Sequence, residues 1–260
     1  MKKGIQGAFL LVLTAFLCLL QISVAADSVS WYTVRNKAHR QPQFGKDLSI
    51  VEEYNGYFID HAHTAQEGER VVYLTFDAGY ENGNVAKILD VLKQKEVKGA
   101  FFVLKHLIEA NGDLVMRMEK EGHTVCNHTA SHPDLSAASA DRIRSEITEL
   151  EESYRALTGK EMAKFFRPPE GKFSEMMLKT VSELGYKTVF WSFAYADWDN
   201  NAQPTAQKAM QCIMDNVHNG AVMLLHPTSA TNAAVLPSVI DELRAQGYRF
   251  GTLDQLCGAE

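Results

Sequence analysis

Five short polar strings, each following an apolar run, carry residue types suited to hydrolysis. In "YLTFDAGYENG", residues 73–83, Asp77 stands near Gly79, where a carboxylate could take a proton from an attacking water. "NHTASH" sets His128 and His132 four residues apart. On one helical turn that spacing puts two imidazoles on one face, able to hold a zinc ion through neutral nitrogens. "RPPEG" opens on Arg167, fixed before two prolines, which could keep the Asp77 carboxylate ionised and oriented. "LLH" ends on His226, a candidate general acid for a leaving amine. "AYADW" supplies Asp197, which could stabilise that imidazolium, and Trp198, which could wall a pocket against a sugar ring.

Each feature taken singly has a plainer reading. Asp77 could cap the following helix, Arg167 could join a surface ion pair, and the two histidines could decorate an ordinary helix. Five such strings at the ends of five apolar runs argue instead for one shared mouth.

Positioning that mouth requires the intervening elements. From Val71 onward, β-rich apolar runs appear at "VVYLTFD", "GAFFVL", "GHTVCNH", "AKFFRPP", "GYKTVFWSFA", "GAVMLLH" and "GYRFGTL". Amphipathic stretches separate them. In "RIRSEITELEESYRAL", Ile143, Ile147, Leu150, Tyr154 and Leu157 recur at helical spacing. Gly99, Gly122, Gly185, Gly220 and Gly247 each precede a run, where a helix end calls for positive φ. Alternating strands and helices predict parallel βα units of the α/β class. About seven of them in one domain predict a closed or nearly closed barrel, with a doubly wound open sheet as the alternative. Neither GxGxxG nor GxxxxGK[ST] follows the first strand, which leaves a nucleotide fold little support.

The chain begins with two lysines and an apolar stretch ending in Ala25 and Ala26, the pattern of an export signal over residues 1–26. An uncleaved membrane anchor is the alternative. Residues 27–69, aromatic but weakly periodic, are read as an extension packed on the main domain at 70–251, with 252–260 as a tail. His61 and His63, in "DHAH", are read as part of a polar loop rather than a ligand pair. The net charge of −6 becomes −8 without Lys2 and Lys3, because residues 1–26 hold no Asp or Glu. That balance disfavours nucleic acid as a partner. Without Cys18, an odd set of Cys126, Cys212 and Cys257 remains and no CxxC occurs, so any metal must be held by His and carboxylates.

The order "TFDAG", "HTASH", "RPPEG", "AYADW", "LLH" resembles the five motifs of the NodB-type polysaccharide deacetylases, carbohydrate esterase family 4. The resemblance implies a deformed (β/α) barrel and metal-dependent removal of N-acetyl groups from amino sugars. It assigns Asp77 as base, His128 and His132 as metal ligands, and Arg167 as the brace of the base. Asp197 becomes the partner of the catalytic acid His226. Tyr80, Pro168 and Trp198 are the expected substrate contacts.

Two departures matter. Ala78 stands where the family usually has a second, metal-ligating Asp, and Ala194 replaces the first Asp of the fourth motif. The fuller strings "LTFDAGYENG", "VFWSFAYADW" and "LLHPTSATNA", with "QPQFGKDLSIVEEYNGYF", are similar to the delta-lactam-biosynthetic de-N-acetylases, which act on muramic acid in spore-cortex peptidoglycan. The expected cofactor is therefore a divalent metal, zinc by the ligand set, held weakly. Water, substrate oxygen or Glu81 would complete its shell, and affinity should fall by at least roughly 10–100-fold. The expected protein is an exported, monomeric deacetylase of N-acetylmuramic acid acting on peptidoglycan glycan strands. A deacetylase of N-acetylglucosamine and an inactive glycan-binding protein of the cell wall are the alternatives.

Overall fold

The computed structural model describes residues 28–42, 48–64 and 68–258. The expected export signal, with Cys18, lies outside the described residues. The N-terminal part contributes strand β1 (Val29–Ser30), helix α1 (Ser49–Glu53) and strand β2 (Gly56–Tyr57). The long β3 (Arg70–Ala78) then leads to α2 (Val85–Gln94), β4 (Ala100–Val103), α3 (Lys105–Ala110) and α4 (Gly112–Lys120). Next come β5 (Thr124–Asn127), α5 (Ala140–Thr158), β6 (Phe165–Phe166), β7 (Lys172–Phe173) and α6 (Glu175–Glu183). The chain closes with β8 (Lys187–Val189), α7 (Ala206–Asn216), β9 (Ala221–Leu225), α8 (Ala230–Ala245), β10 (Tyr248–Phe250) and α9 (Leu253–Leu256).

All seven apolar runs from Val71 onward hold strands of one parallel sheet. β3 is its centre: β10 pairs with residues 70–72, β9 with 72–76 and β4 with 75–78. β5, β6, β8 and β2 follow beyond β4. The sheet then curls back on itself. Just after β8, Phe193 bridges Met223 in parallel, and the Leu224 amide donates to the Phe193 carbonyl at 2.8 Å. This is the deformed (β/α) barrel that the resemblance implied, one of the nearly closed barrels that the alternation predicted.

The N-terminal extension belongs to that closure. β2 pairs in parallel with β8, and Ile59 bridges Ala221 at the start of β9. The buried Trp31 stacks on Phe190 at 4.5 Å and donates its indole N–H to the Trp191 carbonyl at 2.8 Å. These parts of the extension thus pack at the seam between β8 and β9, where the sheet closes through an isolated bridge. β2 had no counterpart in the periodicity because its two residues are too short to show any.

Side-chain alternation sorts the core into an interior and an outer layer. Val71 and Tyr73 point inward with Phe102, Cys126, Val189 and Val222. Val72, Leu74, Phe76 and Ala78 point outward against the helices. Asp77 shares the inward parity of Tyr73 and Thr75, so it faces the mouth at the carboxyl end.

Helix α5 follows its expected stripe, burying Ile143, Ile147, Leu150 and Tyr154; Ser139 caps its first turn and Gly159 ends it at φ 70°. Gly122, Gly185, Gly220 and Gly247 take the expected positive φ, but Gly99 does not. Glu96 makes that turn instead, at φ 52°. Gly99 is needed for space: a Cβ there would sit 2.9 Å from the Phe76 ring.

The stretch expected as a tail, 252–260, contains α9. Its Leu253 and Leu256 enter the interior cluster with Val71 and Tyr73, closing the end of the barrel away from the mouth. Leu253 is 2% exposed. Leu253→Ala should therefore cost roughly 2–5 kcal/mol, as for other buried leucines. Urea denaturation checks this; a loss below about 0.5 kcal/mol, the range of surface changes, would return the segment to the status of a tail.

Candidate active site

The mouth of the barrel holds a cavity of about 800 Å³ lined by Asp77, Tyr80, His128, His132, Trp198 and His226, among others. Two expected residues stand behind this lining. Arg167 is fully buried and Asp197 is 1% exposed.

Arg167 is held by every side of its guanidinium. Nη1 donates to Asp77 Oδ1 at 2.8 Å and Nη2 to Thr75 Oγ1 at 2.9 Å and to the Phe190 carbonyl at 3.1 Å. Nε donates to the Val189 carbonyl at 2.9 Å, and the charge lies 4.2 Å over the Phe102 ring. Burial alone would push the Asp77 carboxyl up. The charge of Arg167 outweighs it, supported by that of His226 and by the Arg167 hydrogen bond, and holds Asp77 below the usual carboxylate range. Asp77 therefore stands ionised, as a base must.

His226 sits at the end of β9. Its Nδ1 pairs with Asp197 Oδ1 at 2.7 Å, and its backbone N–H donates to Asp197 Oδ2 at 2.9 Å. Burial alone would lower its pKa, but the hydrogen bond and charge of Asp197, with the charge of Asp77, hold it above the usual histidine value. Asp197 is braced in turn by Asn232, whose Nδ2 donates to its Oδ2 at 2.6 Å. Gln203 donates to the Asp197 carbonyl at 2.7 Å. Asp77 and His226 thus shift in opposite directions across one cavity, an arrangement suited to a base and an acid.

His128 and His132 do not lie on a helical turn, which corrects the spacing argument. They flank a loop in which Thr129 (φ 76°) and His132 (φ 59°) adopt left-handed backbone. The loop still brings the rings together, 5.0 Å between centroids. His128 Nδ1 pairs with the Arg167 carbonyl at 2.8 Å, which assigns the proton to Nδ1 and leaves Nε2 a bare lone pair. That Nε2 lies 3.6 Å from Asp77 Oδ2. Burial pushes the His128 pKa down to about 4, so the ring is neutral at ordinary pH.

This donor pair fits a divalent ion, though only in part. Among the described residues, no group of three or more His, Cys, Asp or Glu side chains gathers as a metal site. Ala78 is fully buried in the outer apolar layer and offers no donor. Glu81, considered as a further ligand, is committed elsewhere: its two oxygens accept from the amides of Gly83 and Val85 at 2.8 and 2.9 Å.

Trp198 is 60% exposed and flanks His226 at 6.3 Å, while Tyr80 accepts from Asn200 Nδ2 at 2.7 Å across the rim. Pro168 is buried and absent from the lining. Glu170, Trp191 and Tyr195 line the cavity and were not singled out by spacing. Glu170 lay inside "RPPEG" and Asn232 inside "LLHPTSATNA", but nothing local distinguished their side chains.

Comparisons with known proteins agree with this geometry. A polysaccharide deacetylase profile matches residues 64–189. The chain belongs to that family, the deacetylases of carbohydrate esterase family 4. It is 40% identical over 235 residues to the peptidoglycan-N-acetylmuramic acid deacetylase PdaA of Bacillus subtilis, covering 90% of this chain and 88% of that one. The solved structure of B. subtilis PdaA superposes with a TM-score of 0.83, covering 88% of this chain and 97% of that chain. A peptidoglycan-N-acetylglucosamine deacetylase of Bacillus cereus is 34% identical over 229 residues, 86% of this chain and 80% of its own length.

The raised pKa of His226 keeps it protonated further into the alkaline range, and Asp197 is the main cause opposing its burial. Asp197→Asn should lower that pKa and move the alkaline limb of the activity profile to lower pH. A pH series of kcat/KM checks the shift, and an unmoved limb would exclude His226 as the acid.

Proposed function

We propose that this protein removes the N-acetyl group from muramic acid in peptidoglycan, outside the cytoplasm, with a divalent metal held by His128 and His132. The observation that carries the reading is the paired set across the cavity: Asp77 ionised against buried Arg167, facing His226 held by Asp197. A pure binding site has no need of an acid and a base tuned in opposite directions, which disfavours an inactive glycan-binding protein.

In this reading Trp198 and Tyr80 receive the sugar. Asp77 takes a proton from the attacking water as oxygen adds to the acetamide carbon. His226, whose proton is held more tightly through Asp197, gives a proton to the departing nitrogen as the C–N bond breaks, leaving acetate and a free amine. A bound divalent ion supplies a lowered pKa for water and polarisation of the carbonyl oxygen. Zinc suits two neutral nitrogens, and the apolar Ala78 at the position of the usual carboxylate ligand makes the binding weak. The freed amine lies beside the lactyl carboxyl on the neighbouring carbon, so the product can close a six-membered lactam, helped by proximity within one ring.

The muramic acid assignment is supported by the likeness to B. subtilis PdaA. One observation favours N-acetylglucosamine instead: no Lys or Arg stands among the described residues lining the cavity, so a lactyl carboxylate would meet no side-chain cation there. In intact wall that carboxyl is tied to a stem peptide, which also adds bulk at the mouth. Peptide-free strands should therefore be much better substrates than intact strands. Mass spectrometry of amine release from peptide-free strands, intact strands and chitin oligomers tests this. Equal rates on chitin oligomers and peptide-free strands would reject muramic acid and leave the general deacetylase.

Asp77→Asn should lower turnover by a factor on the order of 10²–10⁴ while glycan binding persists. Near-normal turnover by the folded variant would remove Asp77 from the mechanism. Dialysis against a chelator should abolish activity, and zinc or another divalent ion should restore it. Full activity of the metal-free protein would refute the metal.

A further inference from the structure

The buried stripe of α5 contains one charged residue. Ile143, Ile147, Leu150 and Tyr154 are the apolar members of its inner face, and Glu146 lies among them at 1% exposure. A carboxylate withdrawn from water is costly unless donors satisfy it. The donors come from the loop between the two histidines. Ser131 gives both its backbone N–H, to Oε2 at 2.9 Å, and its hydroxyl, to Oε1 at 2.7 Å. The backbone carbonyl of Glu146 accepts from the Ala130 amide at 3.0 Å. Arg142, one turn earlier on the same helix, reaches Oε1 from the solvent side.

This loop needs such a clamp. Thr129 and His132 both hold left-handed backbone, which non-glycine residues adopt only under restraint. His132 is exposed and lies next to Ser131, whereas His128 is buried and fixed by the Arg167 carbonyl. The placement of the second imidazole therefore depends on what holds residues 129–131. Thr129 contributes by accepting the His132 amide on its hydroxyl at 2.9 Å. Asn127 Oδ1 accepts the Thr129 amide at 2.9 Å, and Glu146 holds Ala130 and Ser131, the residues that lead into His132.

We infer that Glu146 is the positioning residue of the metal loop: it acts through Ser131 to hold His132 where its imidazole can share an ion with His128. The inference rests on the metal reading proposed above. It concerns only the protein's own groups, since Glu146 touches neither substrate nor ion in this arrangement. An outer partner of a ligand typically sets metal affinity by roughly 10–100-fold, because it fixes the orientation of the imidazole.

The test is calorimetric titration of the metal-free protein with zinc alone, for wild type, Glu146→Gln and Ser131→Ala. Glutamine keeps the shape but cannot accept from Ser131 and Arg142 together as a carboxylate does. Ser131→Ala, at an exposed position, removes only the hydroxyl bond and leaves the fold undisturbed. Glu146→Gln should weaken zinc binding by about 10–100-fold, and Ser131→Ala by a smaller factor. Activity lost by either variant at limiting zinc should return at saturating zinc, since the chemistry of Asp77 and His226 is untouched. A merely structural glutamate would give a loss that excess zinc does not restore. Zinc affinities within twofold of wild type in both variants would overturn the inference and leave the metal reading standing. No zinc binding by the wild-type protein would overturn both.

Discussion

A guanidinium buried without any exposed surface, Arg167, sets the terms for this site. Such a cation persists inside a protein only if its donors are met and an anion balances it, and removing one partner of a buried pair typically costs about 3–5 kcal/mol. The partners here come from two strands or their ends: Asp77 and Thr75 of β3, and the carbonyls of Val189 and Phe190 at the end of β8. Arg167 itself follows β6. One interaction thus ties the carboxyl ends of β3, β6 and β8 together and fixes the ionisation of the base. The backbone of the same residue accepts from His128, so the tautomer of the first imidazole depends on it as well.

The opposite wall has a matching construction. Asp197 is braced by Asn232 and Gln203 and braces His226 from behind. Each reacting group has a buried partner of opposite charge, and the partners, not solvent, determine which proton each group carries. The loop with His128 and His132 completes the arc. The carboxylate usual for the family is missing from the end of β3, where Ala78 belongs to the apolar layer under the helices. Both charge pairs flank the cavity intact, while the side chain at position 78 offers no donor.

Much of this was legible in the chain. The strands announced themselves because apolar runs ending in a polar residue repeat along the sequence, and strand parity alone puts Asp77 on the same face as Thr75. The two histidines were recognised by spacing, but for a helix that does not exist: i, i+4 spacing is also satisfied by a tight loop with two left-handed residues. Pro168 was expected at the cavity because it adjoins Arg167, yet adjacency in sequence says nothing of which way a side chain turns after a two-residue strand.

The sequence by itself determined the parallel βα architecture and the family, and it singled out Asp77, Arg167, His226 and Asp197, which the fold brings together as two pairs. These follow from local periodicity and from residue types at strand ends, which are written in consecutive residues. Only the tertiary structure decided that Trp31, β2 and Ile59 pack at the barrel seam, that α9 plugs the far end, and that Glu146 and Asn232 hold the loops at the mouth. Those contacts join segments far apart in the chain, and a side chain's partner across such a distance is fixed by packing and burial rather than by any pattern in its neighbours.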